Sequence, residues 1–161
     1  MASGSRIEQA AGLFQRALSA QMRGDLAEAE ALYKESLTVH ATAEAHTFLG
    51  WTYSMAGRLA EAIAECERAI AVDPDFGNPY NDIGAYLLQL GRVDEAIPWL
   101  ERAKRAPRYE PRHYPFFNLG RAYLAKQMPV RALAEFEGAV AAQPDFEPAR
   151  AAAEALRRRL N

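Results

Sequence analysis

One short pattern runs through this chain four times at a spacing of about 34 residues, and nothing else in it so restricts the possible folds. Three copies are clear: LGWTYSMAGRLAEAIAECERAIAVDPD (Leu49–Asp75), IGAYLLQLGRVDEAIPWLERAKRAP (Ile83–Pro107) and LGRAYLAKQMPVRALAEFEGAVAAQPD (Leu119–Asp145). A weaker copy opens the chain as RALSAQMRGDLAEAEALYKESLTVHAT (Arg16–Thr42). Small residues recur at Ala17, Gly50, Gly84 and Gly120, spaced 33, 34 and 36 apart. Seven residues later Gly24, Gly57 and Gly91 form a turn column, with Gln127 in the fourth copy. Ala29, Ala62, Ala96 and Ala132 make a third column, and Ser36, Ala69, Ala103 and Ala139 a fourth. Units of this kind cannot bury their apolar faces alone and must stack.

Each copy predicts two helices joined by a tight turn. Around the second copy, Phe48, Leu49, Trp51, Tyr53 and Met55 precede Gly57. Leu59, Ala62, Ile63, Cys66, Ala69 and Ile70 then follow at helical steps of three and four. Asp25, three residues before Glu28, resembles a helix-start box. Glu61 and Glu95 keep the glutamate, but Arg58 and Arg92 stand at the cap. Pro129 suits a helix start, and Pro74 and Pro144 stop helices. The small columns predict close helix approach. Pro98 predicts a local bend, not a break. KRAPRYEPRHYP, Lys104 to Pro115, carries a two-residue expansion and predicts a longer link. The segment after the fourth copy, Glu147 to Asn161, reads as a capping helix that covers the last apolar face with Ala149, Ala152, Ala153, Leu156 and Leu160.

Bulk properties exclude several classes. The net charge is −2, which weighs against nucleic acid. Residues 1–76 carry 6 Lys/Arg and 11 Asp/Glu, and residues 77–161 carry 13 and 10, so an acidic half precedes a basic one. This reads either as ordinary solvated helix faces or as ends that favour head-to-tail contacts. The single cysteine, Cys66, shares a column with Tyr33, Leu100 and Phe136 and reads as a buried apolar side chain. No apolar run reaches the roughly 20 residues of a membrane span. MASGSRIEQ lacks a signal-peptide hydrophobic region, and a cytoplasmic location is expected.

These residues resemble the tetratricopeptide repeat (TPR) family. The signature stands as Gly50, Tyr53, Gly57, Ala62, Ala69 and Pro74, and again as Gly120, Tyr123, Ala132, Ala139 and Pro144. The resemblance implies an all-α fold, a right-handed α-solenoid of antiparallel helix pairs with first helices lining a concave groove. It divides one domain, 1–161, into repeats at about 10–42, 43–76, 77–112 and 113–146, with a capping helix at 147–160. It also implies a non-enzymatic adaptor, scaffold or co-chaperone that holds a protein or peptide ligand.

In the family's register the groove would present Phe14, Gln15 and Leu18 from the first copy, and Glu44, Thr47, Phe48, Trp51 and Met55 from the second. The third would offer Asn78, Asn81, Asp82, Ala85 and Gln89, and the fourth Tyr114, Phe117, Asn118 and Arg121. The cations of the family's carboxylate clamp are missing from those places. Phe48, Trp51 and Phe117 either anchor apolar ligand side chains or pack between copies. Asn81 and Asn118 either pair with a ligand backbone or lie on a solvated face.

No catalytic constellation is present. His40, His46 and His113 are scattered without metal-ligand spacing, the glycines serve packing and turns, and no cofactor is implied. His46 reads as a core or edge histidine. Two alternatives to the adaptor remain: self-association into a homo-oligomeric scaffold, and binding of RNA or an acidic surface through Lys104, Arg105, Arg108, Arg112 and the terminal arginines.

Overall fold

The turn column sets the fold. In a computed structural model describing residues 2–161, Gly24, Gly57 and Gly91 take positive φ of 81°, 78° and 75°, and Gln127 takes 59°. Every copy closes its first helix with the same pair of hydrogen bonds. In the second copy Gly57 N–H donates to Ser54 O (3.0 Å) and Arg58 N–H to Tyr53 O (2.9 Å). In the fourth, Gln127 donates to Leu124 O and Met128 to Tyr123 O, both at 2.9 Å. The left-handed residue satisfies otherwise orphaned carbonyls and turns the chain back on itself.

The described residues are all-α, as the pattern predicts, and form nine helices: α1 (Ala2–Met22), α2 (Leu26–Val39), α3 (Ala43–Met55), α4 (Leu59–Val72), α5 (Asn78–Gln89), α6 (Val93–Arg105), α7 (His113–Ala125), α8 (Pro129–Ala142) and α9 (Glu147–Leu160). They fall into two compact units, residues 1–79 and 80–161. In the first, α1 packs on α2, α2 on α3 and α3 on α4. In the second, α6 packs on α7, α7 on α8 and α8 on α9, while α5 meets α6 through Gly84 and Leu100.

The small column does what its composition predicts. A Cβ on Gly84 would stand 2.5 Å from Leu100 Cγ, and one on Gly120 2.5 Å from Phe136 Cε1. One on Gly50 would lie 3.0 Å from Ala62 O and 3.3 Å from Cys66 Sγ. Tyr33, Cys66, Leu100 and Phe136 are all buried, so Cys66 takes its place as an apolar filler. Ser36 adds a hydrogen bond its alanine counterparts cannot make, donating from Oγ to Ala10 O (2.8 Å) and tying α2 to α1.

Several expectations need correction. Asp25 caps α2 by accepting from Glu28 N–H (3.3 Å), but the reciprocal half of the box is absent because Asp25 N–H donates to Ala20 O. Arg58 and Arg92 make no cap hydrogen bond. Their guanidinium forks instead grip the glutamate three residues on, Arg58 Nε and Nη2 at 2.8 and 2.7 Å from Glu61 and Arg92 Nη2 at 2.8 Å from Glu95. At Pro98 no correction is needed, since α6 runs through it without a break, as its continuing pattern predicts. In α9, Ala149, Ala153 and Leu156 are buried, but Leu160, expected to cover the apolar face, is exposed because it lies in the last turn.

The link between α6 and α7 is more than an expansion. Arg112 donates from Nη1 to Lys104 O (2.6 Å) and from Nη2 to Ala106 O (2.9 Å), satisfying carbonyls at the C-terminal end of α6. Tyr109, between them in sequence, is buried. Lys104 is held by Glu135 Oε1 and Oε2 at 3.2 and 3.1 Å. Two cations assigned from sequence to a basic surface are therefore committed to structural partners.

Candidate functional site

Each unit carries part of the predicted site. In the first unit a row of rings runs from core to surface. Phe14 meets Tyr33 at 5.6 Å and stands edge-on to Phe48 at 5.4 Å and 87°. Phe48 in turn meets Trp51 at 5.9 Å and 62°. Edge-to-face contacts of this kind fix ring orientation and add to area burial. Tyr33 is buried, Phe14 and Phe48 are half-buried, and Trp51 is 40% exposed. Phe48 thus packs between the first two copies, while Trp51 is presented to solvent.

One turn on, Met55 is exposed, its Sδ accepting from Gln21 Nε2 at 3.5 Å. Buried Gln21 also accepts from Tyr33 Oη at 2.7 Å, a tie that no repeat column signals. Thr47 is placed differently from expectation. It is buried, and its hydroxyl donates to Ala43 O (2.7 Å), so its polar group is spent within its own helix. Glu44 and Asn78 are half-buried at the starts of α3 and α5. An apolar cavity of about 230 Å³ opens beside Phe14, lined also by Ile7, Ala10, Ala11 and His40.

His46 is half-buried, with Nδ1 2.7 Å from Glu65 Oε2, and Arg68 holds the other carboxylate oxygen at 2.5 Å. An edge histidine was legible in the column. Its acidic partner was not, because Glu65 is buried on α4 and its column holds Leu32, Trp99 and Glu135 in the other copies, so no repeated pairing signals it.

The second unit brings the polar candidates together. Asn118 Nδ2 donates to Asn81 Oδ1 (3.0 Å), and Arg121 Nη1 donates to Asn118 Oδ1 (3.2 Å). Both amides are nearly buried, at 7% exposure for Asn81 and 6% for Asn118, so the pair is neither a solvated face nor free of partners. Asp82, half-buried beside them, is pushed by burial up to about 7, and a hydrogen bond from the Asn81 side chain offsets part of that rise. The Asp82 charge in turn raises the buried Tyr109 phenol, already driven up by desolvation.

The second unit also holds a second ring cluster. Tyr114, 41% exposed, stacks with His113 at 4.2 Å and meets Phe146 at 5.7 Å. Phe117 is half-buried and meets Phe146 at 5.3 Å and Phe136 at 5.6 Å. Phe117 serves packing as much as presentation, and Tyr114 with Arg121 forms the accessible edge. Among the described residues no His, Cys, Asp and Glu cluster has metal-site geometry, and no helix is long and apolar enough to cross a membrane.

The chain matches family models for the tetratricopeptide repeat over residues 14–78 and 53–114. No curated protein matches it by sequence. Among solved structures, Pseudomonas aeruginosa PilF superposes with a TM-score of 0.88 at 24% identity, over 94% of this chain and 69% of that one. PilW, described as a widely conserved type IV pilus biogenesis factor, gives 0.80 at 22% identity over 87% of this chain and 64% of its own. YrrB, described as a TPR protein with an unusual peptide-binding site, gives 0.72 at 20% identity over 90% and 74%. At these identities the likeness carries the fold alone. With the repeat columns and the two family matches, it makes the chain a member of the tetratricopeptide repeat family, whose proteins bind other proteins and peptides and are typically not enzymes.

Proposed function

We propose that this chain is a non-enzymatic adaptor that holds an extended or helical segment of a partner protein against the exposed faces of its first helices. The observation that carries this reading is Trp51. Its indole is 40% exposed yet edge-on to Phe48, which Phe14 holds in turn. A large aromatic ring fixed before binding loses little freedom when a ligand covers it, and such residues commonly supply binding hot spots. The peptide-binding site described for YrrB supports the same use of the fold.

The test is panning of a random peptide display library against the folded chain, with Trp51→Ala as the comparison. Peptides with apolar anchors should be enriched, and their affinity should fall about tenfold or more in the variant while helicity is kept. Failure to enrich any peptide, or equal binding by the variant, would reject the reading. Light scattering on the same samples separates the scaffold alternative: stable self-association abolished by Trp51→Ala would replace the adaptor.

A further inference from the structure

The third copy departs from the second on one of its second helices. Where the second copy has His46, Glu65 and Arg68, the third has Tyr80, Trp99 and Arg102. In the second copy Arg68 holds the Glu65 carboxylate at 2.5 Å. In the third, a tryptophan stands in place of that carboxylate, and the arginine lies on rings instead. The Arg102 guanidinium sits over Tyr80 at 4.7 Å and over Trp99 at 5.0 Å. The two rings are 6.1 Å apart and tilted by 37°. Tyr80 is buried and Trp99 half-buried, so the packing of α5 on α6 fixes this platform.

Stacking holds a guanidinium by its face and leaves the N–H donors of its edge directed outward in the plane. The acidic side chains of α6 do not collect them. Asp94 is paired with Lys126 at 2.6 Å, Glu95 with Arg92, and Glu101 with Lys104 at 3.6 Å. Among the described residues no carboxylate lies within ion-pair distance of Arg102, or of Arg105 one turn further on. Lys104 and Arg112, by contrast, are engaged by Glu135 and by the carbonyls that end α6. Pro98, Arg102 and Arg105 follow one another at steps of four and three, and all are exposed. The two uncompensated guanidinium groups therefore share one outward stripe of α6.

We propose that this stripe of α6 is a second docking surface, separate from the first-helix faces, and that it takes a partner-protein segment rich in aspartate and glutamate. One carboxylate of the segment accepts two parallel N–H···O bonds from the fork of Arg102, and a second is held by Arg105. Charge complementarity selects this occupant. The stripe offers two cations without partners, the acids of the same helix are all paired, and a stacked guanidinium plane matches a flat carboxylate. An ammonium group at position 102 has neither the plane nor the fork, so charge alone does not make the site. The surface goes beyond the adaptor reading, which rests on Trp51.

The chain has two tryptophans, so Trp51→Phe leaves Trp99 as a reporter beside Arg102. Acetylated and amidated peptides of alternating Glu and Ser, about a dozen residues long, are titrated against it at low salt, with Gln in place of Glu as the control. Trp99 emission should change saturably with the Glu peptide, at an affinity about tenfold or more above that of the Gln peptide. Arg102→Lys and Arg102→Gln should each weaken binding about three- to tenfold. Arg131→Gln removes an exposed arginine stacked on Tyr123 in α8 and should leave binding unchanged. Circular dichroism checks that every variant is folded. No measurable preference for Glu over Gln, or a loss in Arg102→Lys no greater than in Arg131→Gln, overturns the proposal. So does stronger displacement by a single-stranded RNA of equal charge, which would make the occupant a nucleic acid. The adaptor reading stands or falls separately, on whether apolar peptides respond to Trp51→Ala.

Discussion

Gly120 and Gly12 both lie inside helices, yet alanine should have opposite effects at the two positions. At Gly120 the new methyl would meet the Phe136 ring at 2.5 Å inside a filled core, and Gly120→Ala should lower stability by about 1–3 kcal/mol. At Gly12 nothing lies within 4 Å, and Gly12→Ala should raise stability by about 0.5–1 kcal/mol through helix propensity alone. Chemical denaturation of the two variants reads both signs. Asp82 adds a pH dependence. Its folded carboxyl is raised from 3.8 to about 7, so the native state binds the proton more tightly than the unfolded chain. The stabilisation tied to that proton is whole below about pH 4 and is lost as pH climbs through about 7, with Tyr109 as a titratable neighbour that the Asp82 charge acts on. Thermal melts should show Asp82→Asn removing a decline on the order of a few kcal/mol between those limits. An unchanged slope would mean that other groups set it. At this scale the sequence discloses residues that recur in columns, such as Gly84 opposite Leu100. It hides those that occur once: Gly138, whose missing Cβ leaves room for the Phe116 ring, has no partner in the other copies.

Helix ends separate what local sequence can show from what only packing can. Asp25 is legible as a cap because its partner is three residues away, and Thr42, which accepts from Ala45 N–H at 3.1 Å, follows the same logic at α3. Thr42→Ala should cost about 1 kcal/mol, measurable as a shift in urea midpoint with unchanged slope. The Arg112 clasp on α6 spans six to eight residues and follows no local rule, so the linker reads from sequence as loose and basic. Replacing Arg112 by Met keeps the stem and removes the donors. Faster amide exchange in the last turn of α6 and the 106–112 link should follow, with the first unit unchanged. Uniform exchange across the chain would show that the clasp is incidental.

For the whole molecule, the repeat period made the all-α fold and its helix pairing readable before any coordinates. The candidate site was only partly readable, for a physical reason. The columns record what every copy needs for packing, whereas the site depends on neighbours brought together across copies. Asn81 and Asn118, 37 residues apart, were each visible as polar residues on a first helix, but not as one relay with Arg121. The same distinction separates residue type from backbone angle. Gln127 sits at φ 59° in the turn that Gly24, Gly57 and Gly91 make elsewhere, with the same two hydrogen bonds closing the helix. A glutamine there is strained by roughly 1 kcal/mol relative to glycine, so Gln127→Gly should raise the melting temperature. A search pattern that demands glycine in this column would count three repeats in the chain. One written as a dihedral condition counts four, and it is the dihedral that a repeat inherits.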